Sequence, residues 1–338
     1  MVREVMVYVH GVTPKGSRSH TKDYRALHEG LRRHNAALPP DFCGAEWGWD
    51  PTGGRGRSHQ LLYKAEEELG GRAMAAVRDD GDFTLNPLRV AVDKFRGLMM
   101  YGFADMFYYV SKDGKNAVRY ALAKTVLDHL HGLGVDLDGG GDAVSLTLLG
   151  HSAGSVAAFD FLFALFYAPR KIEEFIEPAQ VRSGPSQDAT RAATPAPAAE
   201  VAGTVSDLKR LKAMAEAGNL RVRRLFTFGS PVTMTAFRAD SLLTILSRDE
   251  DGSRSNRVDG AHYGLTRNDP AFGPALAGPR WVNLWDKDDP IAWPVEPLMK
   301  QAGAEVADVY VDVSDSVTKV HAAYWTSDRF HREVARRW

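Results

Sequence analysis

The sequence predicts an α/β protein built on a mainly parallel, doubly wound sheet with helical insertions, and three observations carry that expectation. Short apolar runs, partly β-branched, recur along the chain, as strands buried on both faces of a parallel sheet require. Segments of helical period alternate with most of them. The clearest run, Ala143 to Leu149, leads through Gly150 directly into a second apolar run of different spacing.

That junction reads "SLTLLGHSAGSVAAFDFLF" (145–163). Val156, Phe159, Leu162, Phe163 and Phe166 fall three and four residues apart, so the order is strand, tight turn, helix, with "GHSAG" as the turn. A serine at the centre of G-x-S-x-G forms a nucleophile elbow: the backbone is strained, and the flanking positions must lack bulk. Gly150 and Gly154 meet that need, which makes Ser152 the candidate nucleophile at the N-terminal end of a helix.

The other elements follow in order. Val5 to Val9 reads as a buried strand, Asp23 to Leu38 as a helix stopped by Pro39-Pro40, and "CGAEWG" (43–48) as a second strand. Residues 50–112 have weaker patterning and read as an insertion above the sheet, with a helix near 60–77. Lys115 to Leu133 is a helix feeding the elbow strand. Residues 177–205 are rich in Ala, Pro, Ser and Thr and offer little to bury, so a loosely held loop is expected there. Strand-like runs resume in "RVRRLFTFGSPV", "RWVNLWDKDDPIAWP" and "AEVADVYVDVSD". The loop therefore interrupts one domain, 1–338, and does not separate two.

Composition narrows the function classes. The 338 residues are 44% hydrophobic and 25% charged, and 42 Lys plus Arg nearly balance 43 Asp plus Glu. Net charge supplies no general attraction to nucleic acid. The single cysteine, Cys43, fits a reducing compartment and a cytoplasmic protein. No signal peptide or membrane-spanning run is expected, and neither metal-ligand spacing nor a P-loop is visible. No cofactor is implied.

A serine hydroxyl needs a base to accept its proton, and the base needs an acid to fix its tautomer. After the serine, the loop following "WVNLW" offers Asp286, Asp288 and Asp289. Asp289 is the choice because Pro290 stiffens its loop and apolar residues follow, with Asp286 and Asp288 left open. Two histidines come later. His321 follows a strand and a polar loop, as a base should, whereas His331 lies in the C-terminal helix and reads as a surface residue. His262 precedes the acid and has the wrong order; His151 reads as a packing residue. Oxyanion donors are expected from the Ala153 N–H and, at the exit of the first strand in "HGVTP", from Val12 or else Thr13.

These stretches resemble lipase-type α/β-hydrolases, and more closely the intracellular phospholipases that carry a DDHD domain. "DMFYYVSKDGKNAVRYALAKTVLDHL" is similar to that family's Asp-x-x-x-Tyr segment and following helix, and "VSLTLLGHSAGS" to its Gly-His-Ser-Leu-Gly-Ser elbow. "DPIAWPVEPL" resembles Asp-Pro-Val-Ala-Tyr-Arg-x-Glu-Pro-Leu, and "HAAYWTSDRF" resembles His-x-x-Tyr-Trp-x-Ser-x-Asp. All four occur in family order, across 104–160 and 281–330. Ala153 stands where the family has Leu, and Pro294 where it has Arg.

The resemblance implies an α/β-hydrolase fold, Ser152, Asp289 and His321 as a catalytic triad, and cleavage of carboxylic esters. A dense apolar cluster at 98–109, with Met99, Met100, Phe103 and Phe107 as candidate substrate contacts, reads either as core or as a lid over an acyl chain. A small-molecule or lipid ester is the expected substrate, with peripheral membrane contact and no nucleic acid. An acyltransferase or thioesterase using the same residues, or a non-catalytic scaffold of the same architecture, are the alternatives.

Overall fold

The computed structural model describes residues 2–11, 20–47, 109, 112–138, 143–166, 172–176, 198–236, 278–299, 305–317 and 319–338. Six strands form one open, all-parallel sheet: β1 (Val2–Val9), β2 (Cys43–Ala45), β3 (Ala143–His151), β4 (Leu220–Phe228), β5 (Trp281–Trp285) and β6 (Val306–Tyr310). Their spatial order is β2-β1-β3-β4-β5-β6. Every neighbouring pair is parallel, so each connection must cross back over a face of the sheet. This is the α/β architecture expected from the alternating runs.

Strand parity assigns side chains to two cores. On β1, Val5, Val7 and Val9 join one cluster, while Met6 and Tyr8 join the other. The register of β3 against β4 shifts between Leu146 and Thr147, whose partners are Val222 and Arg224. That irregularity moves β4 by one residue. Leu220, Val222 and Leu225 therefore share one face although their numbers change parity, and Phe226 and Phe228 take the other.

The first face is covered by α2 (Lys112–Gly132), α3 (Ala153–Phe166), α4 (Ile172–Phe175) and α5 (Ala198–Glu216). Every residue of α3 except Asp160 is buried, which explains its largely apolar sequence: it lies between the sheet and other helices. Asp160 is matched from α2. Its carboxylate accepts from Arg119 at 2.7 Å and from Tyr109 Oη at 2.6 Å, while the Arg119 guanidinium lies over the Phe175 ring at 4.7 Å. Burial pushes the Tyr109 hydroxyl well above its ordinary pKa, so it stays a donor.

The second face is covered by α1 (Thr21–His34) and α9 (Asp328–Arg336), which pack on one another. Gly30 of α1 permits their closeness, because a Cβ there would come within 2.1 Å of His331 Nδ1. His331 is thus buried, at 1% exposure, and not the surface residue expected. Phe330, His331, Val334 and Ala335 form the inward stripe of α9, and His331 Nε2 donates to the Trp325 carbonyl at 3.0 Å. Among the described residues three short helices remain: α6 (Val232–Ala236), α7 (Glu296–Met299) and α8 (Val320–Ala323).

Two further expectations shift. Helix α1 ends at His34, four residues before Leu38, because Asn35 turns to extended geometry. The 177–205 stretch is not wholly a loop, since α5 begins at Ala198. Val201 and Val205 pack against the core beside Leu208 and Leu211, so the helical stripe starts inside the Ala-rich segment. Residues 177–197 lie outside the described residues, as does 50–112 apart from Tyr109 and Lys112.

His28, His151 and His331 are all buried, and in each case burial is the main cause that lowers the imidazole pKa. The unfolded chain takes up protons as pH falls through about 6.5, while these folded sites do so only at lower pH. Stability is therefore whole above about pH 6.5 and declines on acidification, by up to ~1.4 kcal/mol per pH unit for each histidine. Urea midpoints measured at pH 7.5, 6.5 and 5.5 should fall mainly over the last step. A flat profile would contradict neutral burial.

Candidate active site

Strand β3 ends at His151 and α3 begins at Ala153, which leaves Ser152 alone at the turn. Its φ is +52°, the single positive value among the described non-glycine residues. A serine is held in that sparsely populated region only where its surroundings demand it. Three glycines let the chain close in. A Cβ on Gly150 would come within 2.6 Å of Ser155 Cα, one on Gly154 within 2.1 Å of the His10 carbonyl, and one on Gly11 within 2.3 Å of Ser152 Cβ. The exit of β1 therefore presses directly on the elbow.

Gly154→Ala should consequently be severe. The clash is with backbone, which cannot rotate aside, so β1 and α3 must separate; the loss should reach about 1–3 kcal/mol or more. Thermal melts of Gly154→Ala beside Gly203→Ala provide the check, since a Cβ at Gly203 in α5 meets nothing within 4 Å. Equal melting temperatures would show that the elbow tolerates bulk.

Hydrogen bonds lock the turn. Ser152 N–H donates to the Phe228 carbonyl at 3.0 Å, and Ser155 Oγ donates to the Ser152 carbonyl at 2.5 Å. Ser155 Oγ also lies 2.7 Å from Ser230 Oγ, which accepts from Val232 N–H at 3.2 Å. With the Ser155 proton committed, the Ser230 hydroxyl is the donor between the two. The end of β4 is thus tied to the elbow.

His321, in α8, places Nε2 2.9 Å from Ser152 Oγ. Its Nδ1 lies 2.9 Å from Asp289 Oδ2 and 3.1 Å from Oδ1. A carboxylate only accepts, so the imidazole proton sits on Nδ1 and Nε2 is left to accept from the serine. Asp289 is buried, and its Oδ1 also accepts from Ile291 N–H at 3.0 Å, which holds the carboxylate plane.

The three acids of this loop differ in what they face. Asp286 is fully buried, and its oxygens accept from the N–H groups of Asp288 at 2.9 Å and Val313 at 2.8 Å, so it shapes the loop. Asp288 pairs at the surface with Lys287 at 2.7 Å. Only Asp289 reaches the histidine. Tyr324 Oη accepts from Asp286 N–H at 3.0 Å, and burial, then the charges of Asp289 and Asp286, push its pKa well above the ordinary value.

At the exit of β1, His10 is a fixed support. Its Nε2 accepts from Trp47 N–H at 3.0 Å, so the proton is on Nδ1 and is donated to the Gly11 carbonyl at 2.7 Å. The ring stacks between His20, at 3.9 Å between centroids, and Trp47, at 5.2 Å. In the sequence His10 stands only as the first residue of the "HGVTP" turn. The signal for more was a histidine ending an otherwise apolar strand, where a buried ring needs partners for both nitrogens.

Of the remaining candidates, Ala153 is buried at the first position of α3, where its N–H has no intrahelical partner. Val12, the other expected oxyanion donor, lies outside the described residues, as do Thr13, Met99, Met100, Phe103, Phe107 and His262. Among the described residues no group of three or more His, Cys, Asp or Glu could hold a metal ion, and no helix is long and apolar enough to cross a membrane. Compared with known proteins, the chain matches no family model, no curated protein and no solved structure.

Proposed function

We propose that this chain is a serine hydrolase of α/β-hydrolase architecture that cleaves carboxylic esters through an acyl-enzyme. The observation that carries the reading is the continuous Asp289–His321–Ser152 chain, with both links at 2.9 Å, ending on a serine held at positive φ. Ser152 Oγ attacks the ester carbonyl carbon while His321 Nε2 takes its proton, and buried Asp289 stabilises the resulting imidazolium. The tetrahedral oxyanion lies at the N-terminal end of α3, where the Ala153 N–H is one donor; the chain following Gly11 is the expected source of a second. Collapse breaks the bond to the alcohol oxygen, which takes the proton from His321. Water, deprotonated by the same nitrogen, then releases the acid.

An apolar acyl group is the favoured substrate element. Trp293, 47% exposed, is tied by its N–H to the Ser230 carbonyl at 3.1 Å, and Met234, 42% exposed, belongs to the helix that follows Ser230. Ser230 adjoins Gly229, whose Cβ would come within 3.2 Å of Asp289 and His321. Two large apolar side chains thus stand on segments that run from the catalytic residues. The phospholipase resemblance points the same way, towards lipid or long-chain esters at a membrane surface. A cytoplasmic setting is proposed on the single cysteine of the sequence, Cys43, which forms no internal disulfide.

Activity on p-nitrophenyl esters from acetyl to palmitoyl tests this, together with labelling by a fluorophosphonate. kcat/KM should rise with acyl length, by at most about fourfold per methylene if ~0.8 kcal/mol is recovered on each burial. A profile that peaks at acetyl would reject the long-chain substrate. Neither labelling nor turnover of any ester would reject the hydrolase.

A further inference from the structure

His321 stands on a weak platform. Helix α8 has four residues, less than an isolated helix needs, and its N-cap Lys319 makes no side-chain capping bond. In sequence the base is 169 residues from Ser152. Its place within hydrogen-bond reach of the serine must therefore come from tertiary ties.

One tie comes from the residue that precedes the nucleophile. His151 is buried at the end of β3, with ring centroids of Phe228 and Trp325 each 5.1 Å away and that of Tyr324 at 6.1 Å. In such surroundings an imidazole N–H must find a partner. Its Nε2 lies 2.7 Å from the main-chain carbonyl of His321. A carbonyl only accepts, so Nε2 is the donor, and the two imidazole rings lie 4.7 Å apart. Gly229 leaves the space: at φ +55°, its Cβ would come within 3.2 Å of His151 Nε2, His321 Cε1 and Asp289 Oδ2 alike.

We propose that His151 is a positioning residue that anchors the main chain of the base to the nucleophile strand, so that two adjacent residues, His151 and Ser152, set where His321 stands. This role rests on the hydrolase reading of Ser152 and His321. His151 does not touch the reacting atoms; it acts through the His321 carbonyl. The second position of G-H-S-A-G, just before the serine, thereby gains a function beyond packing. Displacement of a catalytic group by about 1 Å can cost on the order of 100-fold in rate, so a single anchoring bond can be worth that much.

The test compares His151→Phe, which keeps a ring but loses the donor, with His151→Gln, whose amide N–H reaches towards the same carbonyl. His151→Phe should lower kcat about 10- to 100-fold with KM within about twofold, and slow fluorophosphonate labelling of Ser152 in parallel. His151→Gln should recover most of both. A readout independent of turnover is the downfield proton resonance of His321 Nδ1–H, held by Asp289: sharp in wild type and His151→Gln, exchange-broadened in His151→Phe. If His151→Phe does not fold, His151→Asn, whose shorter amide falls away from the carbonyl, takes its place against His151→Gln. Wild-type kcat with a sharp resonance in the donorless variant, or equal impairment of Gln and Phe, overturns the anchor. Wild-type protein that shows the resonance but neither takes label nor turns over esters overturns the hydrolase reading instead, and the resonance comparison still decides the anchor.

Discussion

Ser152→Ala should lower kcat for ester hydrolysis on the order of 10⁶-fold, as removal of the nucleophile does where a full triad operates. KM should hardly change, because the hydroxyl contributes its attack and little ground-state binding. Stability should move little: alanine meets the same strained φ, and the bonds from Ser152 N–H to Phe228 and from Ser155 Oγ to the Ser152 carbonyl involve main-chain atoms that the substitution keeps. The oxyanion donors also stay, so a residual acceleration of about 10³ over water is expected. The measurement is single-turnover hydrolysis with the purified variant, beside fluorophosphonate labelling of wild type and variant. Activity near wild type would remove Ser152 from the mechanism.

Asp289→Asn should be the second most damaging change, about 10⁴-fold in kcat. Its amide can still accept from Ile291 N–H through Oδ1, but the –NH₂ now faces His321 Nδ1. That contact needs an acceptor on the imidazole. The ring responds by moving its proton to Nε2, which then presents a donor to Ser152 Oγ and cannot take the serine proton. Asp286→Asn should behave differently: one carboxylate oxygen that accepts from a main-chain N–H becomes a donor, costing about 1–3 kcal/mol of stability, while the folded fraction keeps much of its rate. Asp288→Asn loses only a surface pair with Lys287, and both rate and melting temperature should stay near wild type. Rates and melting temperatures for the three variants separate these outcomes. A rate loss in Asp286→Asn greater than that in Asp289→Asn would reverse the assignment of the acid.

The two predictions draw on different kinds of information. Ser152 was legible because an elbow is a local object: apolar period, glycine placement and chain reversal all fall within residues 143–166, and the strand and helix form where that pattern changes. The alternating elements and their parallel arrangement were legible for the same reason, since a strand buried on both faces must be apolar throughout. Asp289 could only be weighted among three acids within four positions, which are chemically equal in sequence. Packing separated them, by setting main-chain donors around Asp286, solvent and a lysine beside Asp288, and an imidazole against Asp289.

The other differences share that origin. His331 reads as exposed from its place in a polar terminal helix; the close approach permitted by Gly30, where a Cβ would come within 2.1 Å of His331 Nδ1, buries it, and no pattern within α9 reveals which helix it will meet. In sequence His151 reads as a packing residue; its partner, a main-chain carbonyl 170 residues away, carries no residue-type signal. The start of α5 at Ala198 was masked by an Ala- and Pro-rich composition, and became favourable only once Val201 and Val205 had a core to join. By itself the sequence determined the alternation of strands and helices and the elbow that presents Ser152 as the candidate nucleophile, since these follow from short-range periodicity. The tertiary structure alone decided that Asp289, and not Asp286 or Asp288, meets His321, which imidazole nitrogen faces the carboxylate and which the serine, and which carbonyl His151 meets, because hydrogen-bond geometry among residues 32 to 170 positions apart exists only after the sheet has assembled.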